Sequence, residues 1–259
     1  MRLRLLFIFP VVAVFGQTAD EPPRYNVAIV KPATDSNARR RSVNIPPGPW
    51  GVNGITLKEL VMAAHRVPEF LVTGGPAWAS TERWDFRLEF EPAGDWARQF
   101  GQILMKALED RFQLKSHREK IVMPVYELTL AGTGLRLRPD PHLDARGEVI
   151  QLRRGVLHLR NTSLESFATR LSLCLGRPVL NKTDLPGLFL FMLDWSPAPG
   201  EKHVCDGAIF PVEAPAALAN TGAPSIFQAV EEQLGLRLVP GNEPVEVIVI
   251  DKAERPRAN

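Results

Sequence analysis

The chain has 259 residues, 45% hydrophobic and 23% charged, the balance of an ordinary globular protein, which excludes a disordered or fibrous one. Its 31 basic and 29 acidic residues leave a formal net charge of +2, too little for a strong field towards nucleic acid, so no nucleic-acid partner is expected. The 23 prolines predict short elements with frequent stops, because each one fixes φ and removes a backbone donor.

At the N-terminus Arg2 and Arg4 precede an apolar run from Leu5 to Phe15, the pattern of a charged region followed by a short hydrophobic one. It predicts a signal peptide over residues 1–16, cleaved after Gly16 or, alternatively, after Ala19, and a periplasmic or secreted protein. The competing reading is an uncleaved anchor. The run is shorter than the roughly 20 apolar residues a spanning helix needs, and no transmembrane span is expected once the signal is removed. No cysteine follows the run, so no lipoprotein anchor is expected. Arg39, Arg40 and Arg41 have no interleaved aromatics and read as a solvated loop rather than a phosphate-binding patch.

In chain order, Tyr25 to Lys31 is a β-rich run closed by Pro32 and predicts the first strand; a polar loop follows to about Pro49. Val52 to Leu57 predicts a short strand running into a helix capped by Thr56, with Leu57, Leu60, Val61 and Ala64 on its apolar face and Pro68 at its end. Phe70 to Thr73 is a short strand stopped by Gly74, Gly75 and Pro76. Trp84 to Phe90 alternates apolar and charged residues and is the clearest strand. Trp96 to Leu114 has helical spacing. Val122 to Leu130 reads as strand broken at Pro124, with Leu135 to Leu137 as its partner after a glycine turn.

The same order then recurs. Val156 to Leu159 predicts a strand, Ser163 caps a helix ended by Gly176 and Pro178, and Val179-Leu180 and Leu188 to Trp195 predict strands. Residues 196–224 read as a loop insertion rich in proline, alanine and glycine. Ser225 caps a helix ended by Gly235, and Val245 to Asp251 is the last strand. Leu57-Lys-Glu-Leu60 matches Leu164-Glu-Ser-Phe167, Trp84-x-Phe86-x-Leu88 matches Phe189-x-Phe191-x-Leu193, and Leu104 to Leu114 matches Ile226 to Leu236. These matches predict an internal duplication in an α+β fold. Two similar lobes are expected, over residues 17–140 and 141–255, each a small mixed sheet with two helices on one face. The alternative is two α/β stretches that share only amphipathic patterning.

Ordered blocks also carry a resemblance. They are Val-Ala-Ile-Val-Lys-Pro at 27–32, Gly-Gly-Pro-Ala-Trp at 74–78, Trp-Asp-Phe at 84–86, Asp110 to Glu119, Pro124 to Leu128, Gly176 to Gly187, Glu232 to Leu238 and Val249 to Pro256. With these the chain resembles an exported soil-associated family of unknown function, expanded in Acidobacteria of the Solibacter type. It departs from that pattern in one block, where Asn181 and Asp184 replace the usual acidic and glycine positions. The resemblance implies a class and no reaction. Each half also resembles, at the level of fold, the short N-terminal module of secretins and TonB-dependent receptors, an analogy that does not transfer function.

Chemistry-bearing patterns are sparse. His65, His117, His142, His158 and His203 are scattered without a helical i, i+4 pair, and the tightest cluster is His203, Cys205 and Asp206 in the insertion. There is no Gly-x-Ser-x-Gly, no Ser-x-x-Lys and no phosphate-cradling glycine loop, so no catalytic residue, metal or cofactor is assigned. The two cysteines, Cys174 and Cys205, form an even pair that invites a disulfide in an oxidising compartment, against two unpaired thiols. Trp50, Trp78 and Trp96 fall near loops and turns and, with His117, are the candidate ligand-binding residues; Trp84 and Trp195 read as core plugs. For His117 the competing reading is that it and Lys115 meet the dipole of a helix C-terminus. The sequence thus points to an extracytoplasmic binding or interaction protein whose partner is an envelope protein or a cell-wall component. The alternative is an extracytoplasmic hydrolase or sensor-associated enzyme with a site built from dispersed residues.

Overall fold

The computed structural model describes residues 25–33, 41–44, 49–91, 96–140, 148–153, 155–197 and 222–256. The first half runs β1 (Val27–Pro32), β2 (Arg41–Asn44), β3 (Trp50–Ile55), α1 (Leu57–His65), a 3-10 turn (Glu69–Leu71), β4 (Val72–Gly74), α2 (Trp78–Thr81), β5 (Trp84–Glu89), α3 (Trp96–Phe112) and β6 (Lys115–Leu130). The second half runs β7 (Arg138–Pro139), β8 (Glu148–Arg153), β9 (Val156–Thr162), α4 (Leu164–Leu175), β10 (Val179–Asn181), β11 (Phe189–Asp194), α5 (Ile226–Leu234) and β12 (Leu236–Lys252). The protein is α+β, with five helices and three four-stranded sheets among the described residues, and no described helix is long and apolar enough to cross a membrane.

Local signals explain the elements. In β5 Trp84, Phe86 and Leu88 are buried while Arg87 and Glu89 are exposed, the period of a strand with one face on a core. Thr56 and Ser225 open α1 and α5 with capping boxes completed by Glu59 and Gln228, and Ser163 caps α4. Two cores result. One gathers Phe86, Leu104, Leu108 and Phe112 with β12's Ile248 and Ile250, and the other gathers Phe167, Phe191, Leu171 and Val230 with β6's Leu128. In the second, Phe167 stacks on Phe191 with ring centroids 4.1 Å apart.

The sheets differ from the expectation of one mixed sheet per lobe. The outer sheets, β1-β5-β3-β2 and β7-β11-β9-β8, are antiparallel throughout. Among the described residues, parallel pairs occur only in the third sheet, β10-β6-β12-β4, which both halves build. There β4 of the first half joins β12 of the second, and β10 of the second joins β6 of the first. Each core therefore takes a strand from the other half, which generic amphipathic patterning cannot reveal. β7, a strand at Arg138–Pro139 not expected from the sequence, pairs with β11 in the second of these outer sheets.

Registers recur between the halves. β2 meets β3 at Arg41↔Asn53, Ser42↔Val52 and Asn44↔Gly51, and β8 meets β9 at Glu148↔Arg160, Val149↔Leu159 and Gln151↔His158, with a slip at the same step. Val52↔Phe86 and Ile55↔Trp84 have counterparts in Leu159↔Phe191 and Thr162↔Phe189. Within those irregularities Gly54 and Asn161 both take left-handed backbone, at φ 66° and 49°. The N–H of each donates to a carboxylate at 2.9 Å, Asp85 for Gly54 and Asp140 for Asn161.

Other elements shift for physical reasons. The strand expected at Phe70 opens as a 3-10 turn, and β2 and β8 were not foreseen because their residues carry little apolar alternation. Pro124 does not break its strand, and β6 and β12 are continuous over 16 and 17 residues. The loop insertion expected at 196–224 lies mostly outside the described residues, as do the signal peptide and the cluster of His203, Cys205 and Asp206.

Candidate functional site

The central ribbon is the feature that links the two cores. β6 and β12 pair antiparallel from Leu130↔Leu236 to Ser116↔Ile250. β10 covers β6 only at Tyr126, Glu127 and Leu128, and β4 covers β12 only at Ile248, Val249 and Ile250. Tyr126 donates its N–H to Pro178 O at 2.8 Å, and Leu128 O accepts from Lys182 at 2.9 Å. In β6 the even-numbered residues therefore turn their backbone groups away from β12. Pro124 shares that parity, and so do Pro240 and Pro244, opposite Tyr126 and Val122. Their nitrogens face outward, where no ladder bond is lost, and the strands continue through them.

Beyond β10 and β4 the outer sides of the ribbon make no backbone hydrogen bond among the described residues. The even-numbered side chains from Arg118 to Pro124 and from Pro240 to Glu246 are exposed. Val122 is 70% exposed, and Arg118, Glu119, Lys120, Pro244 and Glu246 are exposed as well. Arg118 pairs with Glu246, and Lys182 lies 3.8 Å from Glu243. His117 Nδ1 is 2.9 Å from Asp251 Oδ1, and its Nε2 is 3.6 Å from Glu119 Oε2. The hydrogen bond to Asp251, aided by the charges of Asp251 and Glu119, holds the imidazole above its ordinary pKa. Towards the second core, Arg177 lies 4.9 Å from the Tyr126 ring centroid, and Tyr126 meets Phe227 edge-on at 5.2 Å.

A separate cleft of about 460 Å³ lies beside β1, lined by Val30, Asp110, Arg111, Gln113, Glu254, Arg255 and Pro256. Its charged groups are committed to the fold. Arg111 donates to Ala28 O, and Arg255 forms a bidentate pair with Glu82 at 2.7 to 3.1 Å while lying 5.3 Å from the Trp78 ring centroid. Tyr25 donates to Asp110 at 2.8 Å, and burial, together with that carboxylate, pushes the phenol up to about 12. Burial acts to raise Asp110, but hydrogen bonds from Tyr25 and Lys106 bring it below the ordinary carboxylate value.

Residues 58–253 match a family model described as a protein of unknown function, DUF3738. The chain belongs to the DUF3738 family. No curated protein and no solved structure matches it. The DUF3738 region begins in α1 and ends just past β12, so it holds the whole ribbon and the helices of both cores.

Within this DUF3738 fold the residues singled out by sequence have separate places. Trp50 is a core residue of β3, 5% exposed, with its ring 5.2 Å from Phe100. Trp78 opens α2 and stacks on Phe112 at 6.4 Å. Trp96 begins α3, and its side chain lies outside the described residues. His117 stands inside β6, two residues into the strand, rather than between a helix end and a strand; its partner is Asp251 across the ribbon and not a helix dipole. Trp84 and Trp195 are buried. Cys174 is fully buried in α4 and disulfide-bonded, while Cys205, the only other cysteine in the sequence, lies outside the described residues. No group of three or more His, Cys, Asp or Glu among the described residues is arranged to hold a metal. The open stretches of the ribbon edges, which have no strand partner among the described residues, are not legible in the sequence, where Pro124 reads as a strand break and Pro240 and Pro244 fall before the strand expected from Val245.

Proposed function

We propose that this DUF3738 protein is an extracytoplasmic binding or interaction module, and that it engages a polypeptide of the cell envelope along its central ribbon. One observation carries the reading. Over the middle of β6 and β12 the backbone groups on the outer sides have no partner among the described residues, in a segment whose even-numbered side chains are exposed. An extended chain can satisfy such groups by adding as a strand. A glycan offers no matching ladder, so the edge favours a peptide or protein partner.

Export is part of the same reading and is supported by Arg2, Arg4 and the apolar run that follows. So is the resemblance to an exported soil-associated family. The proposal also takes the two halves as copies of one unit, supported by the repeated registers of the outer sheets and by Val72↔Ile248 and Val179↔Tyr126 in the central one.

The test uses purified mature protein immobilised and titrated with envelope extract, before and after the extract is digested with trypsin. Saturable binding lost on digestion is expected. Turnover of an ester, peptide or glycan substrate by the same protein, abolished by one point substitution, would overturn the binding reading in favour of an enzyme. N-terminal sequencing of protein recovered from the envelope fraction is expected to begin at Gln17 or Asp20, and a sequence beginning at Met1 would overturn cleavage of the signal.

A further inference from the structure

We propose that the outer edge of β6 from Ser116 to Val122 receives an acidic extended segment of another polypeptide as an added strand. This rests on the binding-module reading and goes further by naming one edge and one partner chemistry.

The direction of the backbone comes first. Tyr126 and Leu128 turn their N–H and C=O groups outward, where β10 takes them. Ser116, Arg118, Lys120 and Val122 share their parity, so these residues present the same groups with no backbone partner among the described residues. β10 thus shows how this edge is read at one end, and the rest of it is open among the described residues.

A comparison inside the molecule separates β6 from β12. The register that makes Tyr126 the counterpart of Ile248 makes Arg118 the counterpart of Pro240 and Val122 the counterpart of Pro244. On β12 both prolines remove outward donors, a device that protects a sheet edge against added strands. On β6 the same two places keep their N–H groups. One edge is closed and its counterpart is open.

Charge then selects the partner. Along the open edge Lys115, Arg118 and Lys120 stand with one acid, Glu119. Glu246 compensates Arg118, and Lys120 has no ion pair among the described residues. A strand with acidic side chains at alternate positions meets Arg118 and Lys120 together. A second copy of the same edge does not fit, since antiparallel self-pairing centred on Glu119 sets Arg118 opposite Lys120. Val122, 70% exposed, offers an apolar contact at the end of the run.

The experiment uses full-length mature protein and two capped peptides, one alternating Glu and Val and one alternating Lys and Val. Amide hydrogen exchange is followed at Ser116, Arg118, Lys120 and Val122. The acidic peptide is expected to slow exchange at these amides by at least about tenfold, and the basic peptide to leave them unchanged. The double variant Arg118→Pro with Val122→Pro copies the proline pattern that β12 tolerates, and it is expected to lose the peptide while retaining ribbon protection at the odd-numbered amides. Lys120→Glu, which leaves the backbone intact, is expected to weaken acidic-peptide binding by about tenfold. No protection in the parent protein, equal protection by both peptides, or full binding by Lys120→Glu would overturn the proposal. Saturable binding of an envelope polypeptide that survives in the double variant would overturn the β6 edge and leave the binding-module reading standing.

Discussion

Val122 and Pro244 face each other at the centre of the β6–β12 ribbon, and the pairings on either side of them are counterparts: Tyr126↔Pro240 on one side answers Arg118↔Ile248 on the other. Val179 meets Tyr126 and Val72 meets Ile248, the same distance beyond this pair along β6 and along β12. Because β4 joins β12 and β10 joins β6 around it, neither core is complete without the other half.

Shared strands imply shared unfolding. Leu104 in the first core and Leu171 in the second are both fully buried, and Leu→Ala at either is expected to cost about 2–5 kcal/mol. Each substitution should lower the midpoint of one common transition in calorimetry. Two separable transitions, each answering to only one substitution, would show independent lobes.

The left-handed residues after α3 and α5 give opposite expectations. Gln113 sits at φ 48°, strained for a side chain, whereas Gly235 sits at φ 69° with the carbonyl of Gly134 where a Cβ would go. Gln113→Gly is expected to stabilise by about 1 kcal/mol. Gly235→Ala is expected to destabilise by about 1–3 kcal/mol. Urea denaturation of the two variants checks both signs.

Two histidines have their pKa values shifted in opposite directions. His117, held by Asp251, has its pKa raised, so its contribution to stability is present below the unfolded value and is lost as pH rises through the folded one. His65 is lowered, first by burial and then by Arg118, so the unfolded chain binds its proton more readily and stability falls as pH drops below the unfolded value. NMR titration of the two imidazoles reads the order directly, and Asp251→Asn should bring His117 down towards its ordinary value.

Cysteine pairing has a simple test. Because Cys174 is disulfide-bonded, alkylation of the denatured protein without reductant is expected to add no mass, and with reductant to add two groups. Cys174→Ala is then expected to cost about 2–4 kcal/mol, by freeing the loop in the unfolded chain and leaving a gap in α4. Uptake of two groups without reductant would establish free thiols instead.

The amino-acid sequence by itself determined the elements with strong local signals. β5 and β11 follow from Trp84, Phe86 and Leu88 and from Phe189, Phe191 and Leu193, whose alternation only a half-buried strand satisfies. The caps at Thr56, Ser163 and Ser225 mark helix starts because their side chains bond the first free N–H groups. Tertiary structure alone decided which strands meet. Whether Pro124 breaks a strand depends on which way its nitrogen faces, and that is set by the partner at Asn242, more than a hundred residues away. The exchange of β4 and β10 between halves is likewise a long-range choice: three-residue strands carry no periodicity that names a neighbour, and only the apolar surface they cover together does.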